Sequence, residues 1–184
     1  MALVLIIVGI VVLLAIVVWF VYNRTVARRN AVDNSWAQIE TALQRRHDLI
    51  PNLVEAVKGY AKHERDTFEQ VTKARSGALA AQAPPSQAVA EDGLTAAIGR
   101  LMVVAEQYPE LRATENFQQL QGQLEETETK IAVSRQVYND AVLTYDTALE
   151  TVPTNIVGNL FSFQAREYFE VEEPAAREAP RVQF

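Results

Sequence analysis

The opening of the chain constrains it most. Residues 2–22, "ALVLIIVGIVVLLAIVVWFVY", carry no charge. Wound as an α-helix rising about 1.5 Å per residue, the run reaches about 31 Å, the thickness of a bilayer's hydrocarbon core. A cleaved signal peptide would show a basic segment, a shorter apolar core and a small-x-small cleavage site. Here no basic residue precedes the run, and Arg24, Arg28 and Arg29 follow it. Trp19 and Tyr22 fall where amphipathic rings meet lipid headgroups. Residues 1–23 are therefore expected to be a retained anchor with the lipid bilayer as partner. By the positive-inside rule, the three arginines put the body in the cytoplasm and the short N-terminus outside.

Beyond the anchor, charge narrows the possible partners. Residues 24–65 hold eight basic and five acidic side chains; residues 66–184 hold nine and eighteen. An acidic distal body is repelled by nucleic acid, which is not expected as a partner. The absence of cysteine excludes disulfides and thiolate metal sites, and two histidines are too few for a multi-histidine centre.

The apolar pattern is helical. Trp36, Leu43, Ile50, Val57 and Val71 keep heptad position a, while Val32, Ile39, Leu53 and Tyr60 keep d. Only Arg46, Glu64 and Thr67 clearly interrupt this seam, so one rod is expected from the anchor to about Leu79. A proline-containing linker follows, then a second helix from about Ser86 to Tyr108, stopped by Pro109. In the third, Phe117, Leu124, Ile131, Tyr138 and Tyr145 are spaced by seven; Thr114 suits its N-cap and Pro153 ends it. The expected fold is all-α: a single transmembrane helix, then an elongated antiparallel up-and-down helical bundle over residues 24–170. It has three long helices, with room for a short fourth in the aromatic segment holding Phe161, Phe163, Tyr168 and Phe169. Residues 171–184 read as an extended tail whose Val182 and Phe184 are candidates for docking as alternate side chains.

Apparent chemistry centres on "RRHDLIPNLVEAVKGY", beginning at Arg45. His47 and His63 stand sixteen positions apart, about 24 Å along a continuous helix, and cannot share an ion there. His47 flanks the seam at position e as an interfacial or solvated side chain, and Arg46 lies within the seam. Tyr138 and Tyr145 need polar partners if buried, and Arg46 is one candidate. The adjacent Glu125, Glu126 and Glu128 read as a solvated acidic face. Pro51 cannot bond the carbonyl of His47, but at position b it faces solvent, where that carbonyl can turn to water. The rival is a new helix capped by Asp48; the retained seven-residue spacing favours a bent continuous helix. Arg46, His47, Asp48 and Pro51 together form a candidate polar joint or partner contact, with no catalytic, cofactor or metal residue assigned.

Four stretches of the chain carry a resemblance. "YNRTVARRNAVDNSWAQIETALQRRHDLIPNLVEAVKGYAKHE", "VAEQYPELRATENFQQLQGQLEETETKIAVSRQVYNDAVLTYDT", "VPTNIVGNLFSFQAREYFE" and "EAPRVQF" closely resemble the LemA family. Val152 stands where the family usually has an aromatic before the proline. The resemblance implies a bacterial single-pass inner-membrane protein with an antiparallel helical bundle, kin to a magnetosome-membrane protein and without established enzymatic activity. The expected role is a non-enzymatic scaffold, needing no cofactor, that forms homo-oligomers or binds a membrane protein partner in envelope organisation or maintenance. The alternative is a regulatory or adaptor subunit of a membrane metalloprotease or an envelope-stress signalling system.

Overall fold

The computed structural model describes residues 1–170; the tail expected over 171–184, with Val182 and Phe184, lies outside them. Helix α1 spans Ala2–Lys58, α2 Arg65–Ala80, α3 Pro84–Glu106, the single turn α4 Pro109–Arg112, α5 Glu115–Glu150 and α6 Thr154–Leu160. The described residues contain no strand, and the all-α bundle expected from the sequence is what forms. The room left for a short fourth helix is taken by α6, which stops at Leu160, before Phe161, Phe163, Tyr168 and Phe169.

The first turns of α1 have a mean hydropathy of 3.5 and stay almost wholly exposed, unlike a soluble core helix. A helix satisfies its own backbone, which is the requirement for crossing hydrocarbon. Helix α1 continues through Pro51, as the seam spacing indicated.

It does not continue to Leu79. At Lys58 it gives way to Gly59, and the amides of Tyr60 and Ala61 both bond the carbonyl of Val57, closing the last turn. Glycine weakens a helix interior by about 1 kcal/mol. The seam also fails here, at Glu64 and Thr67, so little apolar burial rewards a straight path. The chain instead turns back as α2, leaving Tyr60 exposed rather than in the seam and burying Ala61, Phe68 and Val71.

The described residues form two compact units. One comprises Ala42–Ile131 with the described residues from Tyr168 onward. In it α2 and α3 are antiparallel: Gln87 Nε2 donates to the Ala78 carbonyl at 3.1 Å, and Arg100 reaches Gln70 at 2.6 Å. Pro84 opens α3 in its first turn, where its missing N–H costs nothing. The core joins Ile50, Leu53 and Val57 of α1 to Phe68, Val71, Leu94, Leu101, Phe117 and Leu124. Full burial of each such side chain contributes about 1.5–3 kcal/mol. The hydroxyl of Thr114 accepts the Phe117 amide and caps α5 as expected.

The other unit comprises Met1–Thr41 and Ala132–Glu167. Here Val32 and Ile39 of α1 are buried, as are Tyr138, Val142, Tyr145 and Ala148 of α5 and Val157 of α6. The Trp36 and Tyr138 rings lie 5.3 Å apart, and Arg29 bears electrostatically on Tyr145, seven residues further along each helix in opposite directions. Helices α1 and α5 are therefore antiparallel in this unit. Tyr138 finds its polar partner in the carbonyl of Glu167, to which its hydroxyl donates at 2.7 Å, rather than in Arg46.

Candidate functional site

The sequence puts a cation, Arg46, at a seam position, and α1 delivers it into the core with His47 beside it; the two residues are 2% and 3% exposed. Removing such groups from water costs several kcal/mol per ion unless partners replace the solvent. Glu91 of α3, 3% exposed, is the central partner. Its Oε2 accepts from Arg46 at 3.0 Å, and its Oε1 accepts from Gln87 Nε2 at 3.0 Å. His47 Nε2 lies 2.8 Å from that same Oε1. A carboxylate oxygen only accepts, so the imidazole donates to it through Nε2.

The second terminal nitrogen of Arg46 donates to the Thr95 hydroxyl, which in turn donates to the Glu91 carbonyl at 2.9 Å. Arg46 Nε stands 2.9 Å from Glu128 Oε1, but its N–H is not aimed at that oxygen, so the contact is an ion pair without a hydrogen bond. Burial holds the Glu128 carboxyl above its usual range; Arg46 opposes the shift and Glu91 adds to it. Glu128 is thus half-buried in the cluster rather than part of a solvated face, whereas Glu125 and Glu126 are exposed. Lys130, hydrogen-bonded to Glu126 and aided by Arg45, holds the Glu126 carboxyl low.

Asp48 is exposed and accepts from Gln44 at 2.8 Å; Pro51 is exposed as well. The His47 carbonyl, which Pro51 leaves without a helical donor, does not turn to water as the sequence suggested. Arg75 of α2 donates to it through Nε at 2.8 Å. Three helices therefore converge on Arg46 and His47. Every polar atom of the Glu91 carboxylate is committed to a partner. A groove of about 510 Å³ opens between α1 and α2 and includes Glu55, Lys58, Phe68 and Lys73 in its lining, but not Arg46, His47 or Glu91. Among the described residues no group of His, Asp and Glu is arranged to hold a metal ion. These contacts tie α1 to α2, α3 and α5 around Arg46 and His47.

Sequence reasoning found Arg46 but missed Glu91, Gln87 and Arg75. The signal for Glu91 was present: it shares the three-and-four spacing of Leu94, Ile98, Leu101 and Ala105, an acid on an otherwise apolar stripe.

The membrane-side candidates lie in the other unit. Trp19 is exposed on α1, and the Tyr22 ring packs against Phe161 and Phe163 with centroids 4.8 and 5.7 Å away. The Arg29 guanidinium sits over the Phe163 ring at 5.6 Å. Arg24 is exposed, Arg28 partly so. Tyr168 is half-buried and Phe169 buried, in the unit that holds the charge cluster.

An exposed apolar helix of membrane length, followed by an all-helical body locked by internal charge pairs, defines a membrane-associated helical protein. A model of the LemA family matches residues 35–184, and the chain belongs to that family. It is also similar to "Magnetosome protein MamQ 2" of Paramagnetospirillum magneticum, 28% identical over 180 residues that cover 84% of this chain and 66% of that protein. "Magnetosome protein MamQ" of Magnetospirillum gryphiswaldense is 26% identical with the same coverage. "Protein LemA" of Metamycoplasma hominis is 25% identical over 165 residues, 84% of this chain and 75% of that one. The chain thus spans just under two thirds of the length of the magnetosome relatives.

Proposed function

We propose that this protein is a membrane-anchored, non-enzymatic helical scaffold of the bacterial inner membrane. Its N-terminus lies outside and its body in the cytoplasm, and it self-associates or binds partner proteins in envelope organisation or maintenance. The observation that carries this reading is the buried cluster, where Arg46, His47 and Glu91 are spent on one another instead of facing a cavity. Buried ionic groups of this kind can fix the register of the helices that carry them. Surface for association exists on α5, where Val133 and Val137 are exposed one turn apart.

Light scattering of the full chain in detergent, corrected for the micelle, tests this. The expected protein mass is a multiple of 20.5 kDa. A single-chain mass at every working concentration contradicts self-association.

A further inference from the structure

The turn from α5 into α6, together with α6 itself, forms an apolar face without charge. Residues 151–163, "TVPTNIVGNLFSF", contain no ionisable side chain, although Glu150 precedes them and Arg166 follows closely. Helix α6 packs inward through Val157 and Gly158, whose position Leu149 approaches so closely that an added Cβ would meet its Cδ2 at 3.2 Å. That packing turns the opposite side outward: Val152, Ile156 and Leu160 are 75%, 65% and 70% exposed, with Phe161 also exposed. Ile156 and Leu160, four residues apart on α6, share one edge of that helix, and Val152 is exposed in the turn that precedes it.

The antiparallel register within this unit gives that edge its height. Trp36 meets Tyr138; fourteen residues back along α1 from Trp36, Tyr22 stands near the level at which α5 ends, twelve residues on from Tyr138 at Glu150. Tyr22 is the last residue of the charge-free run. After α6, Ser162 adopts the left-handed φ of 57°, which lets the rings on both sides of it, Phe161 and Phe163, reach Tyr22. The exposed apolar edge is therefore continuous with the end of the membrane-length helix, beside Trp19 and Tyr22.

The geometry points to a second membrane contact: Val152, Ile156, Leu160 and Phe161 form an interfacial face that lies in the headgroup and acyl boundary of the bilayer crossed by α1. The inference rests on the anchor proposed above and adds to it. A helix that lies on a membrane needs an apolar side at the interface, and aromatic residues favour the headgroup level. Charge is missing over the stretch that would enter lipid and returns at Arg166, beyond it. A contiguous exposed apolar surface marks an interaction site, and adjacency to the anchor selects lipid over a protein partner.

Because the chain has no cysteine, single labels can be placed without a background. Full-length Trp19→Cys, Ile156→Cys, Leu160→Cys and Val133→Cys would each carry an environment-sensitive fluorophore in phosphatidylcholine–phosphatidylglycerol vesicles. Lipids with a shallow nitroxide serve as quencher. Val133 is also well exposed but lies seventeen residues before the end of α5 at Glu150, about 26 Å along the helix. The expected result is quenching at positions 156 and 160 comparable to that at 19, with none at 133. Quenching at 19 alone overturns the interfacial face and leaves the anchor standing. Quenching at none of the four overturns both. Labels at 156 and 160 shielded from water yet unquenched, as beneath a protein partner or a second copy, also overturn the lipid assignment.

Discussion

Arg75 donates through Nε to the carbonyl of His47 at 2.8 Å, the one carbonyl in α1 that Pro51 deprives of its helical donor. A proline inside a helix costs about 3 kcal/mol, in part through that lost bond. Supplying the bond from α2 turns a local defect into a tie between two helices. Arg75→Ala is expected to destabilise the fold by about 1–3 kcal/mol, the cost of an unsatisfied carbonyl. In a Pro51→Ala background, the restored backbone N–H can bond the His47 carbonyl from within α1, so the same substitution should cost clearly less. Urea unfolding of the four variants in detergent, followed by helical circular dichroism, measures the coupling. Additive costs would show that the two residues do not serve the same carbonyl.

Glu91 bonds Arg46, His47 and Gln87 at once. Truncating it leaves the buried guanidinium with only the Thr95 hydroxyl and the half-buried Glu128 among its described partners, so Glu91→Ala should cost about 3–5 kcal/mol. Replacing both charges, as in Arg46→Met with Glu91→Leu, removes the desolvation penalty along with the attraction and should recover most of that loss. The urea midpoints of the single and double variants decide it. A double variant as unstable as Glu91→Ala would contradict the account of the cluster.

Glu128 behaves differently, because burial holds its folded carboxyl above the ordinary 4.5. A raised folded value contributes stability that is fully present below the unfolded value and lost as pH rises through the folded one. At neutral pH the ionised group is thus a relative cost, and Glu128→Gln should match or exceed the stability of the native chain. Its advantage should shrink as pH falls below 4.5. Midpoints compared at neutral and acid pH test the sign; an advantage that grows on acidification would reverse it.

Burial pushes the Tyr138 phenol up to about 12, with Arg166 opposing the shift. Between its ordinary 10 and that value the unfolded chain ionises first, so stability should fall as pH rises across this window. Ultraviolet difference titration should show a late tyrosine phase that Tyr138→Phe removes. A titration unchanged by that substitution would place the late phase elsewhere.

Much of the fold was legible because burial follows heptad spacing: Phe117, Leu124, Ile131, Tyr138 and Tyr145 are all buried as their period implied. The break after Lys58 was not legible, because Val57 and Val71 remain in phase although they belong to separate helices. Both face the core, and periodicity alone does not distinguish one helix from two that share a core. Arg46 stood out as a charge in a seam, while Arg75 did not. Its role depends on a carbonyl that only tertiary packing brings within reach. A short helix was anticipated around the aromatic segment, but α6 forms just before those aromatics, and which of its sides faces outward depended on how Val157 and Gly158 pack.

On the proposed reading, this bundle works at the membrane by binding copies of itself or partner proteins. A photo-cross-linking amino acid at exposed α1 positions Gln38 and Thr41, activated in living cells, tests it most directly. The account predicts a membrane-fraction adduct at twice the 20.5 kDa chain mass or a discrete partner adduct identified by mass spectrometry. Membrane-localised protein that gives no protein adduct from either position or from neighbouring exposed sites would contradict it.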